Sequence, residues 1–114
     1  MLGPKPVDLD HLGRYTGGDH QINAEILALF DRQCRTILAE LEELVGEGSD
    51  SKAWQEISHK LKGAARGIGA FALGASAADA EKVAPSGAYE MLEQLKRDSA
   101  AVHAFIEELL KESV

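Results

Sequence analysis

Apolar residues recur at intervals of three and four positions along most of the chain, which is the spacing of one face of an α-helix. Between about His20 or Asn23 and Val45 this spacing predicts a long amphipathic helix, which Gly46 and Gly48 end. No stretch alternates apolar and polar residues in the manner of a strand, so the chain is predicted to be all-α. The apolar positions of this first long helix are Ile22, Ile26, Leu29, Phe30, Ile37, Leu38, Leu41, Leu44 and Val45.

The next stretch predicts a second long helix with Asp50 or Ser51 as its N-cap. It runs to about Arg66, where Gly67 and Gly69 break it. At about 100° per residue its apolar and small side chains fall on one arc, which favours packing into a bundle. That arc consists of Ala53, Trp54, Ile57, Ser58, Leu61, Ala64, Ala65 and Ile68.

Two further helices are predicted in the C-terminal part of the chain. One begins near Ala70, is rich in alanine and ends at Pro85-Ser86-Gly87, and the last runs from about Ala88 to Glu112. Small side chains allow two helix axes to approach closely. Four helices joined by short turns predict an antiparallel up-down-up-down four-helix bundle.

The N-terminal segment predicts a short additional helix. Its prolines indicate an extended lead over residues 1–7, after which Asp8 or Asp10 is the N-cap and Gly17-Gly18 the end. This helix carries Leu9 and Leu12. A chain of 114 residues is large enough for one modest core, so we expect a single domain over residues 1–114.

One histidine lies on the opposite side of the second long helix from its apolar arc. The side chain of His59 is therefore predicted to be exposed, with Lys62 and Gly63 covering the surface beside it, because helical side chains lean toward the N-terminus. Glycine in a helix costs about 1 kcal/mol relative to alanine, but here it leaves the ring open to a bulky partner. A free imidazole, with a pKa of about 6.5, is a nucleophile near neutral pH. The pattern indicates a phosphoryl-accepting histidine with Lys62 to screen the phosphate charge.

The run His59-Lys60-Leu61-Lys62-Gly63-Ala64-Ala65, followed by Ile68-Gly69-Ala70, resembles the His-x-x-Lys-Gly signature of histidine-containing phosphotransfer (HPt) domains. The resemblance implies that His59 accepts a phosphoryl group from a receiver-domain aspartyl phosphate and passes it to another receiver in a two-component phosphorelay. It also implies that Mg²⁺ and the catalytic carboxylates belong to the receiver. No ATP-binding motif is present, so we expect a phosphocarrier without kinase activity. Residues similar to the family's following helix are Leu73, Ala77, Ala80 and Glu81.

Positive charge gathers around His59, although the chain as a whole is acidic. This local basic rim suits an acidic docking partner, a receiver domain or a hybrid histidine kinase, but solvated helix charges would give the same pattern. By resemblance, apolar residues of the short N-terminal helix join the docking surface; alternatively they cap one end of the bundle. The docking residues we expect are Lys60, Arg66, Gln55, Leu9 and Leu12.

Composition narrows the classes of partner. The net charge of -7 and a pI near 5.0 argue against nucleic acid or an anionic membrane as the main partner. No stretch reaches the roughly 18 apolar residues of a membrane span, and the N-terminus lacks the apolar core of a signal peptide, so a cytoplasmic protein is expected. The resemblance to HPt domains implies a monomer. The lone Cys34 lies on a helical stripe and is predicted to be buried, and no cofactor or metal site is indicated. His11, His20 and His103 have no evident paired carboxylate and are expected at the surface or its boundary.

Two alternatives remain open at this point. A helical module could dock a receiver or kinase without carrying phosphate, and a phosphatase could use Gln55 and Glu56 to orient water. Glu81 falls where some members of the family have a glutamine that hydrogen-bonds the active histidine. A carboxylate there could orient the unphosphorylated ring by accepting its N–H, yet it would repel a nearby phosphoryl group. We therefore expect Glu81 to point elsewhere, toward Lys60 or Arg66, and the orienting role to be absent or played by another group.

Overall fold

The computed structural model describes residues 5–46 and 48–112, and all regular structure in these ranges is helical. This confirms the all-α prediction and the short additional N-terminal helix. Residues 1–4 of the predicted extended lead lie outside the described ranges. The helices are α1 (Leu9–Thr16), α2 (His20–Leu44), α3 (Ser51–Gly67), α4 (Phe71–Glu81) and α5 (Tyr89–Glu112), with a short 3₁₀ turn at Pro85–Gly87 between the last two.

The four longer helices close into a bundle around one core. Helix α3 packs against α2 and α4, and α5 packs against the same two helices from the other side, while α1 rests on α2. Helices α3 and α4 make the most extensive contact, because Gly74, Ala77 and Ala80 are buried on α4 and bring the two axes close. The largest fully buried side chains are Trp54, Leu27, Leu41, Leu61, Leu73, Leu95 and Ile106.

Aspartate caps start three of the helices. The carboxylates of Asp8, Asp19 and Asp50 each accept hydrogen bonds from backbone N–H groups in the first turn of α1, α2 and α3. The two N-caps left open by the sequence are thereby settled as Asp8 and Asp50. Cys34 is buried as predicted, with its Sγ 3.2 Å from Ser99 Oγ, and burial raises the pKa of its thiol.

Helix α4 is shorter than the sequence pattern predicts. It ends at Glu81 rather than at Pro85. A residue before proline avoids the helical conformation, and Ala84 is accordingly extended, with φ -77° and ψ 148°. As a result, Glu81 stands at the C-terminal end of α4, beside the middle of α3.

The N-terminal lead is part of the core, which the sequence did not predict. Val7 is completely buried, and the backbone N–H of Asp8 donates to the carbonyl of Gly69 in the α3–α4 turn at 2.9 Å. Gly69 has φ +85°, and a Cβ there would lie 2.6 Å from the Asp8 carbonyl oxygen, so only glycine fits this approach. On α2, in contrast, the apolar Ile22 and Leu29 are exposed although they follow the helical spacing.

Candidate functional site

His59 lies on the outer face of α3, and 66% of its side chain is exposed. The opposite face of the same helix buries Trp54, Leu61 and Ala65 in the core. The predicted arc and the predicted exposure of the histidine are therefore both confirmed. Because the apolar face fixes how α3 is rotated in the bundle, it also fixes the direction in which the imidazole points.

A carboxylate from the neighbouring helix holds one nitrogen of this ring. Glu81 Oε1 lies 2.7 Å from His59 Nδ1. The expectation that Glu81 points toward Lys60 or Arg66 is therefore wrong. The close packing of α4 on α3 brings the end of α4 to the histidine, and the indole N–H of Trp54 anchors that end by donating to the carbonyl of Ala80 at 2.8 Å.

The same carboxylate also binds Lys62. The Lys62 Nζ lies 2.7 Å from Glu81 Oε2, so Glu81 bridges the imidazole and the ammonium. The hydrogen bond from Lys62, followed by that from His59, lowers the pKa of Glu81, which is therefore ionised at neutral pH. Lys62 is predicted to screen a phosphoryl group on His59, and in this structure its ammonium binds the carboxylate of Glu81.

The contact with Glu81 determines the form of the neutral imidazole. An ionised carboxylate can only accept a hydrogen bond, so Nδ1 of His59 carries the proton and donates it. The lone pair of the neutral ring then lies on Nε2. Within residues 5–46 and 48–112, no hydrogen bond or ion pair is recorded for His59 Nε2. The exposed ring thus presents an unpartnered nucleophilic nitrogen beside a held proton.

The surface one turn after His59 has no side chain because residue 63 is glycine, and the packing of the described chain does not require glycine there. Gly63 is exposed, its φ is not in the left-handed region, and a Cβ built on it would meet no atom within 4 Å. Gly67, one turn further, is equally open. Nothing within the described chain requires glycine at position 63, and its absence of a side chain leaves space beside the ring.

Three of the expected docking residues lie on the same helix as His59, and the two on α1 are less exposed. Lys60, Gln55 and Arg66 are exposed on α3, and Leu9 is partly buried in α1. Leu12 was predicted as a docking residue, but it is only 2% exposed because it packs into the core. This burial agrees with the alternative interpretation, in which Leu12 caps one end of the bundle.

A second histidine has carboxylate partners that the sequence analysis missed. His103 Nδ1 lies 2.9 Å from Asp31 on α2, and its Nε2 lies 3.1 Å from Glu107 one turn later on α5. Arg35 also contacts this cluster, through Asp31 Oδ2 at 3.1 Å. The spacing of four between His103 and Glu107 was a readable signal, whereas the contact with Asp31 required the three-dimensional fold.

Across the described ranges, no three side chains of the metal-ligating types come together. None of the helices described is long and apolar enough to cross a membrane.

The family model described as the Hpt domain matches residues 25–112, which include His59, Lys62, Gly63 and Glu81. No curated protein and no solved structure matches the chain.

Proposed function

The chain belongs to the Hpt domain family, and from this premise we propose that His59 accepts a phosphoryl group from a receiver-domain aspartyl phosphate and passes it to another receiver. Domains of this family serve histidine phosphotransfer in two-component systems and act as phosphocarriers without kinase activity. The role of His59, and the place of this chain in a phosphorelay with receivers on both sides, are the parts that we add.

One observation carries the proposal: the exposed ring of His59 has its proton held at Nδ1 by Glu81, and among the described residues its Nε2 has no recorded partner. In the transfer step Nε2 attacks phosphorus in line, the bond from phosphorus to the aspartyl oxygen breaks, and its electrons leave with the carboxylate. The Nδ1 proton stays on the ring. Return of the phosphoryl group to a second receiver is the same step in reverse.

The neighbouring residues have separate roles in this proposal. Lys62 supplies positive charge to the phosphoryl group, and Gly63 leaves room for the receiver to bring its aspartyl phosphate to the ring. The receiver supplies Mg²⁺ and the carboxylates that bind it, so the Hpt domain contributes a positioned nucleophile. The proposed docking surface contains Lys60, Arg66, Gln55 and Leu9, and we propose that the domain works as a monomer in the cytoplasm.

The proposal is tested by incubating the protein with radiolabelled phospho-receivers. Wild type should take up label that is labile in acid and stable in alkali, the behaviour of a phosphohistidine, and His59→Gln should take up none. Transfer to a second, unlabelled receiver should then follow. If receivers bind tightly but no label moves, the domain is a helical docking module, and if inorganic phosphate appears instead of phosphohistidine, it is a phosphatase.

A further inference from the structure

Gly74 leaves a space on α4 that the side chain of Arg66 occupies. Gly74 is buried where α4 packs on α3, and its φ is not in the left-handed region, so its backbone does not require glycine. A Cβ built at position 74 would lie 3.0 Å from Arg66 Cγ and 3.7 Å from Arg66 Nε. Because glycine weakens a helix relative to alanine, its presence here is explained by the arginine that crosses it.

The guanidinium at the end of this side chain has no recorded partner among the described residues. Arg66 is exposed on α3. Arg35 and Arg97, in contrast, each donate to a side chain on their own helix. The stem of Arg66 is packed against α4, so its guanidinium loses less side-chain entropy on binding a partner than that of a freely rotating arginine. Arg66 thus presents a positive charge whose position is already set.

Arg66 lies on the same outer face of α3 as His59. Seven residues separate the two, which places them about 10 Å apart along the helix axis and nearly in line. Gly63 and Gly67 are exposed on this part of the helix, and a Cβ at either position would meet no atom within 4 Å. An interface that buries about 800 Å² of each partner is roughly 30 Å wide. A receiver that places its aspartyl phosphate at His59 Nε2 therefore also covers Arg66.

From this arrangement we propose that Arg66, held in the space at Gly74, binds a carboxylate on the surface of the receiver and so favours receivers that carry an acidic residue at that point. Arg66 is then a specificity-determining residue for the transfer, and Gly74 is a positioning residue that acts through it. The inference rests on the proposed function, because it names the group on the receiver that one residue of the docking surface recognises.

The chemistry of the ligand follows from the side chain and from its distance to the ring. A guanidinium offers two parallel N–H donors, which match the two oxygens of a carboxylate. Lys62 follows His59 by three residues and is the cation beside the ring, so the phosphoryl group on Nε2 is assigned to Lys62. Arg66, two helical turns from His59, is left for the protein surface of the receiver. The acidic residue there should lie about 10 Å from the phosphorylated aspartate.

The test measures transfer from a radiolabelled phospho-receiver, the one that labels wild type fastest, at a series of receiver concentrations. The variants are Arg66→Ala, Arg66→Lys and the control Arg97→Ala, which removes an exposed arginine from α5 on the other side of the bundle. Each protein is also labelled with phosphoramidate, a small reagent that phosphorylates histidine without a receiver. Its phosphorus–nitrogen bond breaks, ammonia leaves, and the new bond forms to Nε2 of His59.

We expect Arg66→Ala to raise the receiver concentration at half-maximal rate by about tenfold, the effect of losing one charge-assisted, two-donor contact. The maximal rate and the labelling by phosphoramidate should stay within about twofold of wild type, because the ring itself is unchanged. Arg66→Lys keeps the charge but not the parallel donors, and should raise the half-maximal concentration by about threefold. Arg97→Ala should behave as wild type.

A double-variant cycle tests whether Gly74 acts through Arg66. In Gly74→Ala the new Cβ displaces the stem of Arg66, so the half-maximal receiver concentration should rise by about threefold. In an Arg66→Ala background the contact at 3.0 Å is gone, and the backbone nitrogen of residue 66 at 3.7 Å is an ordinary neighbour, so Gly74→Ala should change nothing further. Equal effects of Gly74→Ala with and without Arg66 would show that this glycine serves the packing of α4 alone.

The outcomes separate this inference from the proposed function. If wild type is labelled and Arg66→Ala has the same half-maximal concentration, the inference is overturned and the proposed function stands. If no receiver labels wild type at His59, both are overturned. Circular dichroism shows whether each variant keeps its helices, and if Arg66→Ala does not, Arg66→Lys against wild type decides the question.

Discussion

Among the described residues, His59 and His103 each contact a carboxylate across a helix interface, but of these two rings only that of His59 has a nitrogen with no recorded partner. His59 uses Nδ1 to reach Glu81, and its Nε2 has no recorded partner. His103 uses Nδ1 to reach Asp31 and Nε2 to reach Glu107, and only 34% of its side chain is exposed. The first pair joins α3 to α4, and the second joins α2 to α5 on the other side of the bundle.

If His59 accepts the phosphoryl group as proposed, a carboxylate partner alone is not what distinguishes it from His103. Both rings are oriented by an acid, so orientation is common to them. His59 alone also combines a free Nε2 with an open surface at Gly63 and an ammonium at Lys62. Both ring nitrogens of His103 have carboxylate partners, so this histidine is suited to hold α2 and α5 together.

Replacing each histidine in turn should give the largest contrast. His59→Gln is expected to abolish labelling by phospho-receivers, because it removes the only proposed nucleophile, whereas His103→Gln should keep the labelling rate within about twofold of wild type. The measurement is phosphohistidine formed per minute from a labelled receiver. Circular dichroism serves as the folding control for both variants. Loss of labelling in His103→Gln with its helices intact would contradict the assignment.

A side chain at position 63 should close the surface that distinguishes His59. Gly63→Leu is expected to slow transfer from a receiver by at least about tenfold, because the partner is held away from the ring, while labelling by the small reagent phosphoramidate changes little. The free energy of unfolding should rise by about 0.5–1 kcal/mol, because leucine has a higher helix propensity than glycine. Gly63→Ala, whose Cβ meets no atom, is the matched control for the stability change. Equal transfer rates in Gly63→Leu and wild type would show that access of the receiver to the ring is not the reason for glycine at position 63.

Freeing the second nitrogen of His103 is a more demanding test of the comparison. In a His59→Gln background, Glu107→Ala removes the partner of His103 Nε2. We expect phosphoramidate then to label His103 slowly, at a fraction of the rate measured for His59 in wild type, and receivers to give no label. His59→Gln alone is the control and should remain unlabelled. If the double variant also stays unlabelled, a free Nε2 is not the feature that separates the two sites.

The smallest expected effect concerns acid stability at the α3–α4 contact. The pKa of Glu81 is lowered in the fold by Lys62 and His59, so its contribution to stability is fully present above the unfolded-state pKa of about 4.3 and is lost as pH falls through the folded-state value. The stability difference between wild type and Glu81→Gln should therefore shrink as pH falls below about 4.3. Urea unfolding at a series of pH values measures it. A difference that persists unchanged to pH 3 would contradict the assignment of the lowered pKa to folding.

The sequence predicted the helices and the face of α3 well, because these follow from a strong hydrophobic period. Trp54, Leu61 and Ala65 fall on one side of α3, and the direction of His59 follows from them. The period was less informative on α2, where Ile22 and Leu29 have apolar spacing but lie beyond the edge of the buried stripe. The spacing of apolar residues identifies the buried face of a helix, but it does not show how wide a stripe of that face the neighbouring helices cover.

The sequence raised Glu81 as a possible partner of His59 but could not decide in its favour, for a related reason. Helix α4 has alanine or glycine on most of its faces, so its pattern does not determine which way Glu81 turns. Its rotation is set by close packing on α3 and by the hydrogen bond from Trp54 to Ala80. The expectation from charge alone, that a carboxylate would avoid a phosphoryl site, gave too little weight to the compensation that Lys62 and the Nδ1 proton together provide.

The buried lead before α1 has a consequence for where this domain can be cut. The span matched by the family begins at residue 25, yet Val7 and Leu12 belong to the same core, and Asp8 is hydrogen-bonded to the turn that ends α3. A protein shortened to the matched span would lose Val7 and Leu12, and the apolar surfaces that these side chains cover would be exposed to water. Expression vectors and fusions for this domain should therefore retain the chain from Lys5 onward, because the family span is shorter than the folding unit.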